Sequence, residues 1–207
     1  MARKRKPWNK NRVVGQMRAF TISEVEKIRR IIGERSQLGQ RDLLMFNLAI
    51  DAMIPISELL SLTVKDVKHA NGTIRSLLEI PRGKRRAIHR CALSKATMVA
   101  MKNWLAMSGL KDDNYIFPGR GGAPHPLAAR NLNRLIKDWV TRAGLDPTQY
   151  GTESLRRTKA LHILNSTGDL DTVRMLLGHT KIESTAMFLQ VSRKVVDPIA
   201  VARAHDF

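Results

Sequence analysis

One pair of short β-rich segments interrupts a chain whose other periodic segments are helical. The sequence predicts strands over residues 73–80 and 86–93, joined by a basic turn at residues 81–86. Helical patterns lie before and after this hairpin, without the regular alternation of strand and helix that a parallel sheet requires. The pattern therefore predicts an α+β fold, mainly α-helical with a small antiparallel sheet.

Capping and turn residues mark several helix ends. Thr21-Ile-Ser-Glu24 is a capping box, which predicts a helix from there to Gly33. Pro55 is suited to the first position of a short helix that extends to Leu62. Apolar periodicity predicts the remaining helices over residues 41–53, 96–107, 126–143, 154–166, 171–177 and 182–191.

The charge balance indicates a polyanionic partner. The chain has 36 Lys and Arg residues against 18 Asp and Glu residues, a formal net charge of +18. Duplex DNA is the expected partner, and RNA remains open on charge alone. No apolar run approaches the ~20 residues of a membrane span, so no membrane association is expected. We expect a cytoplasmic, bacterial, DNA-associated protein.

Cysteine usage limits the chemistry that the chain can perform. The single cysteine, Cys91, excludes an internal disulfide framework and a cysteine-based zinc site. No metal or other cofactor is expected.

The most specific motifs lie in the second half of the chain. They are Thr152-Glu-Ser-Leu-Arg-Arg-Thr158, Leu176-Leu-Gly-His179, and Phe188, which follows His179 by nine residues. With Ile56-Ser-Glu-Leu-Leu-Ser-Leu62 and Ile116-Phe-Pro118, their order and spacing resemble the catalytic domain of the tyrosine recombinase (phage integrase) family. The resemblance covers residues 21–191 and implies a fold that surrounds duplex DNA as a C-shaped clamp.

The resemblance also implies a set of catalytic positions. In the family a tyrosine attacks the scissile phosphate, two arginines stabilise the phosphate oxygens, and a lysine and a histidine assist proton transfer. Arg156 matches the second arginine, Arg157 the adjacent basic position, and His179 the histidine of the Leu-Gly-His motif. A buried Arg156 paired with Glu153, and a His179 that only favours a helix end, are the structural alternatives.

Three positions depart from the family pattern outright. Pro55 stands where the first arginine is expected, Glu153 where the histidine of His-x-x-Arg is expected, and Phe188 where the nucleophile is expected. Each also has a structural explanation: Pro55 begins a helix, Glu153 suits a first helical turn, and Phe188 packs in a core with Met187 and Leu189.

The lysine of the family has no certain counterpart. Pro81, Lys84 and Arg85 each fit that position in one alignment of the turn. The alternative, which we favour, is that the turn only contacts phosphate backbone.

Basic residues are the candidate DNA contacts. Phosphate contacts give affinity without sequence information, which must come from the base edges. The helix over residues 126–143 is the candidate reader through Arg130, Asn131, Asn133 and Arg134, although a basic helix face is the alternative. The other candidate DNA-binding residues are Arg82, Lys84, Arg85, Arg86, Arg90, Arg156, Arg157 and His179.

The chain ends are expected to differ from the central domain. Residues 1–20 form a basic tail with no acidic residue, which is either solvated or bound to nucleic acid. This tail is too short to be the separate DNA-clamping domain of typical family members, which predicts a compact form. Residues 192–207 form a C-terminal segment that docks either on a second copy, as the resemblance implies, or on its own domain.

The sequence therefore predicts a catalytically inactive, recombinase-like protein that binds duplex DNA at preferred sites. It is expected to select target sites for a mobile element, with transposition or recombination proteins as partners, or to act as a repressor or accessory subunit. The alternatives are a divergent active recombinase, with a tyrosine from a partner or Tyr150 as nucleophile, and a basic RNA-binding protein.

Overall fold

The computed structural model describes residues 17–33, 37–82, 87–119 and 125–191. Within these ranges the chain forms nine α-helices and two strands, with a 3₁₀ turn at Pro147–Gln149. The elements are α1 (Ile22–Gly33), α2 (Gln37–Ala52), α3 (Ile56–Leu60), α4 (Val64–Val67), β1 (Leu77–Arg82), β2 (Ala87–Ala92), α5 (Lys95–Ser108), α6 (Ala129–Arg142), α7 (Thr152–Thr167), α8 (Leu170–Leu177) and α9 (Ile182–Leu189). The predicted α+β class is confirmed.

Helix α2 lies at the centre of the main core. Leu44, Met45, Phe46, Leu48 and Ala49 are consecutive or nearly so, and all are fully buried. A helix that is apolar on every side must be covered on every side, and α1, α3, α5, α7 and β2 all pack against it. Helix α7, which carries Arg156, is therefore positioned by its contacts with α2.

The hairpin is antiparallel, but the predicted bounds of its first strand are wrong. Strand β1 pairs with β2 from Leu77 opposite Ala92 to Arg82 opposite Ala87. The residues before β1 pair elsewhere, because Ile74 forms a bridge with Lys68. Pro81 lies within β1, although the sequence placed it in the turn. A proline is tolerated there because a strand of a two-stranded hairpin has an open edge.

The predicted capping box at the start of α1 is formed. The Thr21 amide donates to the Glu24 carboxylate at 2.8 Å, and the Glu24 amide donates to the Thr21 hydroxyl at 3.2 Å. Pro55, in contrast, lies just outside α3 with φ −55° and ψ 140°. Its carbonyl accepts from the amides of Glu58 and Leu59, so it caps the helix and is not its first residue.

Two helix starts differ from the predicted ones by three or more residues, and one short helix was not predicted. Helix α2 begins four residues before Arg41, at Gln37. Helix α6 begins at Ala129, because Leu127 is still extended and its amide bonds to the Phe117 carbonyl at 2.8 Å. Helix α4, which was not predicted, contains only four residues.

Residues 17–20, the N-terminal strap, are packed onto the domain. The Arg18 amide donates to the Gln149 carbonyl at 2.8 Å, and the Phe20 amide donates to the Thr158 hydroxyl at 3.0 Å. Phe20 is buried and its ring stacks on Tyr150 with 4.4 Å between centroids. The ordered packing thus reaches back into the range that the sequence assigned to the tail.

No helix among the described residues has the length and apolar character needed to cross a bilayer.

Candidate functional site

Helices α7, α8 and α9 meet around a second, smaller hydrophobic cluster. Met53, Ala160, Val173, Leu177 and Leu189 form its buried part. The cluster holds the C-terminal end of α8 against α9 and α7. As a result, three residues that are distant in sequence lie next to one another: Arg156, His179 and Phe188.

The turn after α8 directs His179 toward α7. Gly178 ends the helix at φ 67°, a left-handed conformation that glycine adopts without strain. The amide of His179 then bonds back to the Arg174 carbonyl at 3.0 Å, and the Arg174 side chain donates to the His179 carbonyl at 3.0 Å. The backbone of His179 is therefore held on both sides.

The Arg156 guanidinium is buried and oriented by backbone carbonyls. Its Nε donates to the Met53 carbonyl at 2.8 Å, and one Nη donates to the Leu177 carbonyl at 3.2 Å. The other Nη lies 3.9 Å from the carboxylate of Glu153, whose side chain is 47% exposed. The predicted pair at spacing i,i+3 is formed, and it leaves Glu153 at the solvent edge of the site.

The contacts of His179 define its tautomer. Arg156 Nη2 lies 3.3 Å from His179 Nε2, and a guanidinium can only donate, so Nε2 accepts. His179 Nδ1 lies 3.0 Å from the hydroxyl of Thr185, which is fully buried. In this arrangement Nδ1 is the ring nitrogen that donates, and its partner is the Thr185 hydroxyl.

Phe188 lies between the two arginines of α7. The guanidinium carbons of Arg156 and Arg157 are 5.0 and 4.8 Å from its ring centroid, and His179 meets the ring edge-on at 5.7 Å. Arg157 Nε also donates to the Phe188 carbonyl at 2.7 Å. Burial lowers the pKa of Arg157, and the charge of Glu153 acts in the opposite direction. Cation–π contacts stabilise the two cations against the ring.

The expected packing of Phe188 is only partly right. Leu189 is buried as predicted, but Met187 is 71% exposed and faces away from the cluster. Successive residues of a helix point about 100° apart. Residues 187, 188 and 189 therefore cannot all face the cluster, and Met187 is the one that faces solvent.

The backbone between α2 and α3 also contributes to the site. Met53, whose carbonyl binds Arg156, has φ 52°, a conformation that non-glycine residues rarely adopt. Pro55 follows two residues later, with a ring that offers no donor. The segment therefore supplies a carbonyl to the arginine but no second cation from position 55.

The hairpin residues predicted to contact DNA are mostly outside the described part of the structure. Lys84, Arg85 and Arg86 lie there, as does the side chain of Arg82. Arg90 is exposed on β2, but its Nε donates to Glu79 across the hairpin at 2.8 Å.

Helix α6 presents a polar face of the predicted kind. Arg130, Asn133 and Arg134 are exposed and Asn131 is half-buried, while Leu132, Ile136 and Trp139 point into the core. Lys137, the third basic residue of this helix, donates to the carbonyls of Pro147 and Tyr150. That lysine is therefore engaged in fixing the turn before α7.

Tyr150 has a structural environment. It is buried, and its hydroxyl donates to Glu24 at 3.1 Å. Desolvation, together with the hydrogen bond to Glu24, raises the pKa of Tyr150 to about 12. Arg18 of the N-terminal strap lies 5.3 Å from the centroid of its ring. These contacts connect Tyr150 to α1 and to the strap.

A buried polar network lies beside the site and was missed at the level of sequence. The Asp51 carboxylate accepts from the Ser94 amide at 2.8 Å, the Thr97 hydroxyl at 2.5 Å and Lys159 at 3.1 Å. Burial alone would raise the pKa of Asp51, but these partners lower it below its ordinary value. The network joins α2, α5 and α7. Asp51 is an isolated charged residue within an apolar segment, which is a signal that the sequence offers for this network.

The described residues and their order match a known protein family. The model of the phage integrase family matches residues 18–194. The chain belongs to this family. It is 33% identical over 160 residues to tyrosine recombinase XerC of Chromobacterium violaceum. The aligned region covers 77% of this chain and 50% of that protein.

Solved recombinase structures have the same fold. The XerH site-specific recombinase, in a post-cleavage complex with palindromic difH substrate, superposes with a TM-score of 0.69 and 19% identity, covering 93% of this chain and 55% of that one. The Tn1549 transposon integrase, in complex with circular intermediate DNA, gives a TM-score of 0.72 and 14% identity, covering 94% and 67%. The chain spans about half the length of the curated relative.

Proposed function

We propose that the chain binds duplex DNA through a recombinase-like domain and does not cleave it. The observation that carries this proposal is the position of the Phe188 ring between Arg156, Arg157 and the edge of His179. Strand cleavage in the manner of the family requires an oxygen nucleophile at that place, and a phenyl ring has none. The positive charges of Arg156 and Arg157 are retained and would attract the phosphate backbone of DNA.

Two further residues support the loss of cleavage. Pro55 offers no side-chain donor to a phosphate oxygen, and Glu153 places a carboxylate 3.9 Å from Arg156. Both changes weaken the stabilisation of the negative charge that builds on the phosphate in the transition state. A single change is compatible with a divergent enzyme, whereas three changes around one phosphate position favour a binding protein.

DNA binding is supported by charge, by fold and by the relatives. A net charge of +18 attracts the duplex backbone, and XerH and the Tn1549 integrase were both solved with DNA. Helix α6 is the proposed reader of base edges, because Arg130 and Arg134 are exposed on one side, one helical turn apart. The hairpin and the basic residues 1–16 add backbone contacts.

Site preference defines the biological role that we propose. A protein that binds chosen sites without cutting them serves as a target-site selector for a mobile element, or as a repressor or accessory subunit at recombination sites. Neighbouring transposase genes would favour the selector, whereas an adjacent active integrase gene or promoter would favour the other roles.

Random-library footprinting tests the binding half of the proposal. The purified protein is expected to enrich a defined duplex sequence, and Arg130→Ala with Arg134→Ala is expected to reduce that preference more than the overall affinity. Enrichment of no sequence at several salt concentrations would contradict site-specific binding. Competition between matched duplex DNA and RNA distinguishes the RNA-binding alternative, which predicts a preference for RNA.

A nicked suicide duplex tests the chemical half. We expect no covalent adduct between protein and DNA, because no tyrosine lies at position 188. The competing hypothesis, a divergent active recombinase, draws on the retained cluster of Arg156, Arg157 and His179. An adduct that forms with the isolated chain and disappears in Tyr150→Phe would favour the enzyme. An adduct that forms only with a second recombinase present would show that the tyrosine comes from a partner.

A further inference from the structure

A groove of about 620 Å³ lies between the turn that follows α4 and the outer side of α5. Ile74, Met98 and Val99 supply its apolar lining, and Lys95 and Lys102 flank them along the helix. The Arg156 guanidinium contacts Met53, Leu177, His179 and Phe188, and none of these four residues lines the groove. The groove is therefore separate from the cluster of Arg156, His179 and Phe188.

The apolar residues of the groove are incompletely covered. Val99 is 60% exposed, while Met98 and Ile74 are partly buried and pack against the main core from outside. Residues 95, 98, 99 and 102 follow the i, i+3, i+4, i+7 spacing, so they form one stripe along α5. The stripe places two apolar side chains between two lysines, which is the pattern of a surface that receives the apolar face of another helix.

The charges at this stripe have one sign. Neither α5 nor the turn at residues 71–74 contains an aspartate or glutamate. Lys95 is the first residue of α5, where its charge opposes the helix dipole. A partner carboxylate at that point would neutralise Lys95 and interact favourably with the dipole.

We propose that this groove docks an acidic, amphipathic helix of a partner protein. The apolar side chains of the partner cover Val99 and Met98, and its carboxylates face Lys95 and Lys102. The two lysines are seven residues apart, a rise of about 10.5 Å, which matches acidic residues at i and i+7 of the partner helix. Duplex DNA would satisfy the lysines but brings no apolar side chain to cover Val99.

Labelled synthetic peptides of defined sequence test the proposal. The probe is a fifteen-residue peptide on an alanine background, with glutamates at i and i+7 to face the two lysines and leucines at i+3 and i+4 to face Met98 and Val99. One comparison peptide has the same composition in scrambled order, and another has lysine in place of glutamate. Fluorescence anisotropy with the full chain is expected to show about tenfold tighter binding of the amphipathic acidic peptide than of either comparison peptide.

Substitutions in the groove then locate the binding. Val99→Asp, and separately Lys95→Glu with Lys102→Glu, are each expected to weaken peptide binding by about tenfold. Lys27→Glu with Lys111→Glu changes the net charge equally at exposed positions outside the groove, and is expected to leave binding within about twofold.

Four results would overturn the proposal. Equal binding of the scrambled peptide would show that only charge is recognised, as would equal weakening by the control pair. Unchanged peptide affinity in Val99→Asp would place the peptide elsewhere. A loss of duplex DNA affinity in Val99→Asp, with the fold intact by circular dichroism, would assign the groove to the nucleic-acid interface.

Discussion

Replacement of Glu153 by glutamine is expected to strengthen duplex DNA binding. The Glu153 carboxylate lies 3.9 Å from Arg156 Nη1, so a phosphate held by that guanidinium would lie about 6 Å from the carboxylate. Two unit charges at that separation repel by roughly 0.7 kcal/mol in a water-like dielectric. The water-like dielectric is appropriate because the Glu153 side chain is 47% exposed and solvent screens its charge.

The expected gain in affinity is therefore about threefold at low salt. It should shrink as salt increases, because the Debye length falls to roughly 10 Å at 0.1 M. Titration of a labelled duplex at several salt concentrations measures both effects. Glu26→Gln removes the same charge from the exposed side of α1 and serves as the matched control.

Two outcomes would refute this reasoning. Weaker or unchanged binding of Glu153→Gln at every salt concentration would show that Glu153 does not face a bound phosphate. An equal gain in Glu26→Gln would show that only net charge matters, and that the geometry around Arg156 is irrelevant to affinity.

Three further predictions concern the site and its support. Phe188→Tyr alone should give no covalent adduct on a nicked duplex, because Pro55 still supplies no cation; efficient adduct formation would show that the pocket is otherwise complete. Asp51→Asn should destabilise the fold by about 2–4 kcal/mol in urea unfolding at neutral pH. Since the folded-state pKa of Asp51 is lowered from 3.8, the stability that comes from its charge is present above that value, and the difference from the mutant should shrink as pH falls through the folded pKa. In Tyr115→Phe, the remaining Tyr150 should titrate near pH 12 by phenolate absorption; because that pKa is raised, its stabilising contribution is present below pH 10 and lost as pH rises toward 12.

The elements that carry local signals were predictable. The Thr21–Glu24 capping box forms as expected. Helix α4 carries a comparable signal, because the Asp66 carboxylate accepts from the amide and hydroxyl of Thr63. With only four residues it lacks the apolar periodicity that identifies a longer helix. The start of β1 at Leu77 was not predictable from its apolar pattern, because Ile74 bridges to Lys68 and lies outside the hairpin.

The candidate site was predictable in part. The spacing of Arg156, His179 and Phe188 indicated that they converge, and their side chains are in contact. The carbonyls that orient Arg156 and the hydroxyl of Thr185 that fixes the His179 tautomer could not be foreseen. They depend on how three helices and a turn are placed, and any residue type can supply a carbonyl.

Because Met53 has a left-handed backbone conformation, the geometry of the site depends on which amino acid occupies position 53. Its carbonyl accepts from Arg156 Nε, so rotation of this one peptide would remove that acceptor and leave the Leu177 carbonyl to orient the guanidinium. A full substitution series at position 53 would therefore rank residues by two opposing properties. Glycine and asparagine would accept the torsion angle but forfeit apolar contact, whereas valine and isoleucine would keep the contact and resist the angle. The order of tolerance at this position would show whether the torsion angle or the apolar packing of residue 53 contributes more to the stability of the site.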